Sequence, residues 1–172
     1  MPLTVLLGGA RSGKSRLAIE LARDEAAPVT VIVTGQAGDA EMAERIAQHK
    51  AERPDGWVVV EEPYELAEAI GNADPTHTVI VDCLTLWVAN ALGRGDDPEA
   101  VVDTGAAVAA AAAARESLTL AVSNEVGLGI VPATPVGRSY RDVLGSVNAS
   151  WVAVSAESAL VVAGRRLALE PL

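Results

Sequence analysis

The chain has 172 residues, 50% of them hydrophobic and 21% charged, with a formal net charge of −10 at pH 7. That balance describes one globular domain over residues 1–172 with enough chain to bury a core, and it excludes a disordered segment. An acidic chain with 3% aromatic residues has neither the basic surplus nor the stacking surface of a nucleic-acid binder.

In chain order, "LTVLL" (Leu3–Leu7) is a short apolar run ending in glycines and is predicted to be a buried strand. "KSRLAIELAR" (Lys14–Arg23) has helical periodicity. "VTVIVT" (Val29–Thr34), β-branched and bounded by Pro28 and Gly35, is a second strand. Residues Asp39–Arg53 are predicted to form a helix stopped by Pro54. "WVVVEE" (Trp57–Glu62) is a strand, followed by a helix opening at Pro63. "TVIVD" (Thr78–Asp82), "LTLAVS" (Leu118–Ser123) and "ALVVAG" (Ala159–Gly164) are further strands, and "RLALE" (Arg166–Glu170) is the hairpin partner of the last. The alanine-rich tract Gly105–Glu116 is a plain helix with a thin, close-packing face and carries no function. Alternating strands and helices imply an α/β fold with a mostly parallel sheet and helices on both faces.

The strongest chemical signal is "GGARSGKS", which comprises Gly8, Gly9, Ala10, Arg11, Ser12, Gly13, Lys14 and Ser15. It fits G-x-x-x-x-G-K-[ST] between a predicted strand and a predicted helix, the context that a phosphate-binding P-loop requires. Glycines let backbone N–H groups turn around phosphate oxygens, and the helix N-terminus adds a favourable dipole. Lys14 faces the β and γ phosphates, and the Ser15 hydroxyl is placed for Mg²⁺. Asp82, at the carboxyl end of its strand, is the expected acidic partner of that metal, and capping of the next helix is its alternative role. The guanine-reading N-K-x-D element of switch GTPases is absent; "SNEVG" (Ser123–Gly127) has the asparagine without the lysine.

Arginine occurs eleven times, whereas lysine occurs only as Lys14 and Lys50 and histidine only as His49 and His77. On the helix from Asp39, residues Glu41, Arg45, His49 and Arg53 are spaced four apart and share one stripe. Two cations beside His49 disfavour the imidazolium, and a neutral ring is a nucleophile. The same stripe also reads as a solvated, charge-laddered helix face. His77, in the turn "NADPTHT", is expected to be solvent-exposed.

Taken in order, "GGARSGKS", "EMAERIAQHKAERP", "VDCLTLWVAN", "SNEVGLGIVP" and "GRSYRDVLGSVN" resemble the bifunctional adenosylcobinamide kinase/adenosylcobinamide-phosphate guanylyltransferases of cobalamin biosynthesis over nearly the whole chain. The resemblance implies a RecA-like P-loop NTPase sheet, a homotrimer, and GTP or ATP as co-substrate with Mg²⁺ held by Ser15 and Asp82. It implies that His49 becomes covalently guanylylated. It places nucleotide contacts on the phosphate loop, on Thr34, Gly35 and Gln36, on Lys50, Ala51, Glu52 and Arg53, on Glu61, and on Asp82. Ala149 stands where that family is expected to carry Gln after the Asn of "GSVN", so no contact is assigned there. Two other classes remain open from the residues alone: a P-loop small-molecule kinase with a structural His49, and a non-catalytic nucleotide-binding module.

The lone Cys83 can form neither an intramolecular disulfide nor a CxxC metal pair, which fits a reducing compartment. No apolar run is long enough to span a bilayer, and "MPLTVLLGGARSGKS" lacks the basic start of a signal peptide. A cytoplasmic protein is expected.

Overall fold

The computed structural model describes residues 3–38, 40–51 and 53–171. Seven strands form one sheet in the order β3-β2-β4-β5-β1-β6-β7. They are β1 (Leu3–Gly8), β2 (Val29–Val33), β3 (Val58–Glu61), β4 (Thr78–Asp82), β5 (Thr119–Asn124), β6 (Glu157–Val162) and β7 (Arg165–Ala168). Every pairing is parallel except β6 with β7. Between them run α1 (Lys14–Asp24), α2 (Ala40–Ala51), α3 (Leu66–Asn72), α4 (Leu84–Arg94), α5 (Pro98–Ala113) and α6 (Pro135–Val154). No described helix is long and apolar enough to cross a membrane.

The central strands are mostly apolar because both faces are covered, and their side chains alternate between two cores. Leu6, Val31, Ile80, Leu120 and Val122 pack with Ala18 and Ala22 of α1. Leu3, Val5, Ile32, Val81 and Ala121 point the other way, onto a larger core built with α3, α4, α5 and α6. Burying each such Val, Leu or Ile side chain contributes about 1.5–3 kcal/mol. In parallel pairing all the strands end at the same edge, so the loops after β1, β2, β4 and β5 converge there.

Three expectations change. Helix α3 opens at Leu66, not Pro63. The Glu62 carboxylate instead accepts the N–H groups of Tyr64 and Glu65 in a tight turn, which Trp87 and Asn90 of α4 pin through the carbonyls of Tyr64 and Pro63. The helix expected over Asp39–Arg53 is regular over Ala40–Ala51; Asp39 and Glu52 lie outside the described residues, and Arg53 stands beyond the helix end. His77 is half-buried, not solvent-exposed. Its Nδ1 lies 2.9 Å from the Thr30 hydroxyl at the start of β2, on the sheet edge opposite the glycine loop. The hairpin expectation holds: β6 and β7 are joined through Ala163 and Gly164, both at positive φ (50° and 73°).

The alanine-rich tract lies in α5, which packs on α6. A Cβ on Gly105 would lie 2.9 Å from Val147 Cγ2 and 3.5 Å from Trp87. Gly105→Leu should therefore force α5 and α6 apart and destabilise the fold by about 1–3 kcal/mol. The urea midpoint should fall accordingly; an unchanged midpoint would contradict this packing.

Candidate functional site at the carboxyl edge of the sheet

The glycine loop leaves the sheet centre at Gly8, where β1 lies between β5 and β6. Gly8 has no room for a side chain: a Cβ would run into the Val161 carbonyl and lie 2.7 Å from Ser12 Oγ. Arg11 and Gly13 take positive φ (56° and 101°), which turns the chain inward ahead of α1. The loop is tied down at its rim, since Gly164 N–H donates to the Ser12 carbonyl at 2.8 Å. Lys14 is buried and donates from Nζ to the Gly9 carbonyl at 3.0 Å, so its ammonium lies across the loop. The first turn of α1 holds no acidic residue, which leaves its N-terminal dipole for an anion. Arg11, Gly9 and Ala10 are exposed at the rim.

Asp82 ends β4, two strands from β1. It does not cap α4, whose N-cap is Cys83 without a side-chain cap bond. Its carboxylate instead faces Arg53, at 3.5 Å from Nη2, with the two side chains only 19% and 10% exposed. Ser15 lines the same small cleft, over a floor of Ile19, Val31, Ile80 and Val122. A hydroxyl and a carboxylate side by side are hard oxygen donors of the kind that suit Mg²⁺ shared with phosphate oxygens. Among the described residues no cluster of three His, Cys, Asp or Glu could hold a metal by protein ligands alone.

The residues around this pair fix its backbone. The Thr34 hydroxyl donates to the Cys83 carbonyl at 2.6 Å and accepts the Cys83 N–H at 3.0 Å, while Thr34 N–H donates to the Asp82 carbonyl. Thr34 is fully buried, and its own carbonyl accepts from Asn90 at 2.7 Å. Its side chain is thus engaged with the Asp82 segment. Gly35 sits under Leu86 and Ile46, Gln36 is exposed and accepts from the Tyr64 hydroxyl, and Glu61 is exposed at the end of β3 in register with Val33. Burial, and after it the Asp82 charge, pushes the Cys83 thiol up to about 11, so it is no thiolate nucleophile at neutral pH.

Lys50 and Ala51 end α2 as exposed residues. His49 lies in the last turn of α2; the side chains of Glu41, Arg45 and His49, like the whole of Glu52, lie outside the described residues. Arg53 lies beyond the end of α2. Pro54 follows the helix end, and the Arg53 guanidinium lies 3.5 Å from the Asp82 carboxylate.

Sequence reasoning missed the polar anchors behind the edge. Asn124 ends β5 beside Gly8; its N–H donates to Thr85 Oγ1 at 2.7 Å and its carbonyl accepts from Asn148 Nδ2 at 3.0 Å. The signal in the sequence is the polar pair Asn124–Glu125 directly after the predicted strand, within "SNEVG".

Comparison with known proteins agrees with this geometry. Solved structures similar in fold include the type III secretion ATPase EscN from enteropathogenic Escherichia coli (TM-score 0.61, 13% identity, 94% of this chain and 43% of that one). Another is the RadB recombinase (TM-score 0.52, 16% identity, 92% and 73%). These establish a RecA-like P-loop architecture. The bifunctional adenosylcobalamin biosynthesis protein CobP of Pseudomonas aeruginosa is 41% identical over 171 residues, covering 98% of each chain. The corresponding CobU of Salmonella typhimurium is 38% identical over 176 residues, covering 94% of this chain and 96% of its own. The profile described as cobinamide kinase / cobinamide phosphate guanyltransferase matches residues 4–169. With a P-loop and an acidic strand end already in place, the chain belongs to the cobinamide kinase / cobinamide phosphate guanyltransferase family.

Proposed function

We propose that the protein phosphorylates adenosylcobinamide with GTP or ATP, and then transfers GMP from GTP to adenosylcobinamide phosphate through a covalent guanylyl-His49 intermediate. The observation that carries this is the phosphate loop facing Asp82 across one edge, in a chain that matches the family over residues 4–169. Arg53, four residues after His49, reaches Asp82, so the end of α2 is tied to the phosphate edge.

In the kinase step the cobinamide hydroxyl attacks the γ-phosphorus and the nucleoside diphosphate leaves with the bridging oxygen. Loop N–H groups and Lys14 hold the oxygens that gain charge. In the guanylyl step a His49 nitrogen attacks the α-phosphorus and pyrophosphate leaves. The phosphate oxygen of adenosylcobinamide phosphate then displaces His49 from phosphorus, giving adenosylcobinamide-GDP and the free imidazole. Splitting one transfer into two is covalent catalysis. Ser15 and Asp82 are the residues that would hold Mg²⁺, which supplies charge neutralisation of the phosphates when bound. The protein works as a cytoplasmic homotrimer in this reading, with the corrinoid at a subunit boundary. Leu128, Ile130, Val131 and Val136 support it: they are 83%, 98%, 60% and 77% exposed, an apolar surface that a large partner would cover.

Three results test this reading. Lys14→Ala should cost both transfers on the order of 3 kcal/mol, a hundredfold or more in rate; near-normal rates would remove the loop from the chemistry. A monomer by sedimentation that stays fully active at high dilution would exclude the shared site. His49→Ala should abolish guanylyl transfer while leaving γ-phosphoryl transfer within a few-fold, and His77→Ala should match wild type in both. Loss of both activities in His49→Ala with normal GTP binding would make His49 shared machinery rather than a guanylyl carrier.

A further inference from the structure

Asn124 is fixed from three sides more tightly than a strand end needs. It pairs in register with Gly8, the first residue of the phosphate loop, and the next residue, Glu125, donates its N–H to the Gly8 carbonyl at 3.2 Å. Its own N–H is taken by Thr85, a 6% exposed hydroxyl on α4, and its carbonyl by Asn148, a 4% exposed amide on α6. Two buried polar side chains from different helices are thus spent on one backbone position. Such networks rigidify what they hold.

The pleat decides which way the side chain faces. Side chains two apart on a strand share a face. Val122 belongs to the core under α1 and lines the cleft with Ser15 and Asp82. Asn124, two residues on, therefore lies on that same face. Asp82 is in register with Val122, so Asn124 stands two residues further out from the sheet, roughly 7 Å. It lies beside the loop and above the Ser15–Asp82 pair. Its carboxamide makes no hydrogen bond to any described residue.

We propose that Asn124 is a further catalytic residue for γ-phosphoryl transfer, its amide N–H donating to a non-bridging oxygen of the transferring phosphoryl group. In that step the acceptor oxygen–phosphorus bond forms and the γ-phosphorus–bridging oxygen bond breaks. The diphosphate leaves with the electron pair, and the acceptor's proton goes to water. Asn124 exchanges no proton; it stabilises the charge carried by the equatorial oxygens. This rests on the kinase half of the proposed function, but its binding consequence does not.

The test uses the full chain with Mg²⁺ and two probes, GDP and a non-hydrolysable β,γ-imido analogue of GTP, by titration calorimetry, alongside kinase kinetics. A hydrogen bond to a charged group is worth about 1.5–3 kcal/mol, or roughly 10–150-fold. Asn124→Ala should lower the analogue-over-GDP preference and the kinase kcat by about that factor, with little change in GDP affinity. Asn124→Asp is nearly isosteric and keeps both backbone anchors, so it should fold like wild type. It should be worse than Asn124→Ala, because its carboxylate repels the phosphoryl oxygens. Wild-type preference and kcat in Asn124→Asp would overturn the proposal. So would an equal loss of affinity for GDP and the analogue in both variants, which marks a structural role. Absence of corrinoid phosphorylation by wild type would count against the proposed function and leave the nucleotide preference to decide Asn124.

Discussion

The close approach at Gly8 is the constraint on which the rest of the site depends. A parallel strand in the centre of a sheet must hand its chain to a loop without a gap, and here the loop is wedged between the Val161 carbonyl and its own Ser12. Both neighbours of β1 then hold the loop: Glu125 N–H reaches the Gly8 carbonyl from the β5 side, and Gly164 N–H reaches the Ser12 carbonyl from the hairpin after β6. Any side chain at Gly8 would push against backbone, which cannot rotate aside. The phosphate loop is therefore preorganised by the sheet, and its donors need little rearrangement when an anion arrives.

The second organising feature is the carboxylate of Asp82 and the guanidinium that answers it. A carboxylate that is four-fifths buried needs a counter-charge, and Arg53 supplies it from the end of α2. Thr34 holds the peptide just beyond Asp82 by both its carbonyl and its N–H, and Asn90 holds Thr34 in turn. A chain of short hydrogen bonds thus runs from α4 through β2 to β4. It sets the height of Asp82 relative to Ser15, and Arg53, just beyond α2, joins that helix's end to the edge through its ion pair with Asp82.

Much of this was legible in the residues. The β-branched runs announced their strands because both faces of the sheet are covered, and the P-loop announced itself because phosphate geometry admits few sequences. What was not legible depends on contacts between distant segments. Helix α3 starts late because the Glu62 carboxylate takes two backbone N–H groups and α4 holds the turn; neither follows from a proline at position 63. Arg53 is spaced four from His49, but spacing alone cannot see that a buried carboxylate waits nearby for its guanidinium. His77 was read as a turn residue in water, yet its ring packs against Thr30 at the start of a neighbouring strand. An asparagine after a strand is ordinary by itself, and only the sheet order shows that Asn124 flanks the phosphate loop.

The central claim is that one nucleotide site serves two transfers because α2 carries a nucleophile to the α-phosphorus. Intact-mass measurement of the wild-type protein after incubation with GTP and Mg²⁺, without corrinoid, addresses it most directly. The account predicts one added GMP per chain, lost on mild acid treatment, stable in base, and mapping by peptide analysis to His49. A protein that binds GTP and phosphorylates its corrinoid yet never gains this mass, or gains it at another residue, would contradict the account.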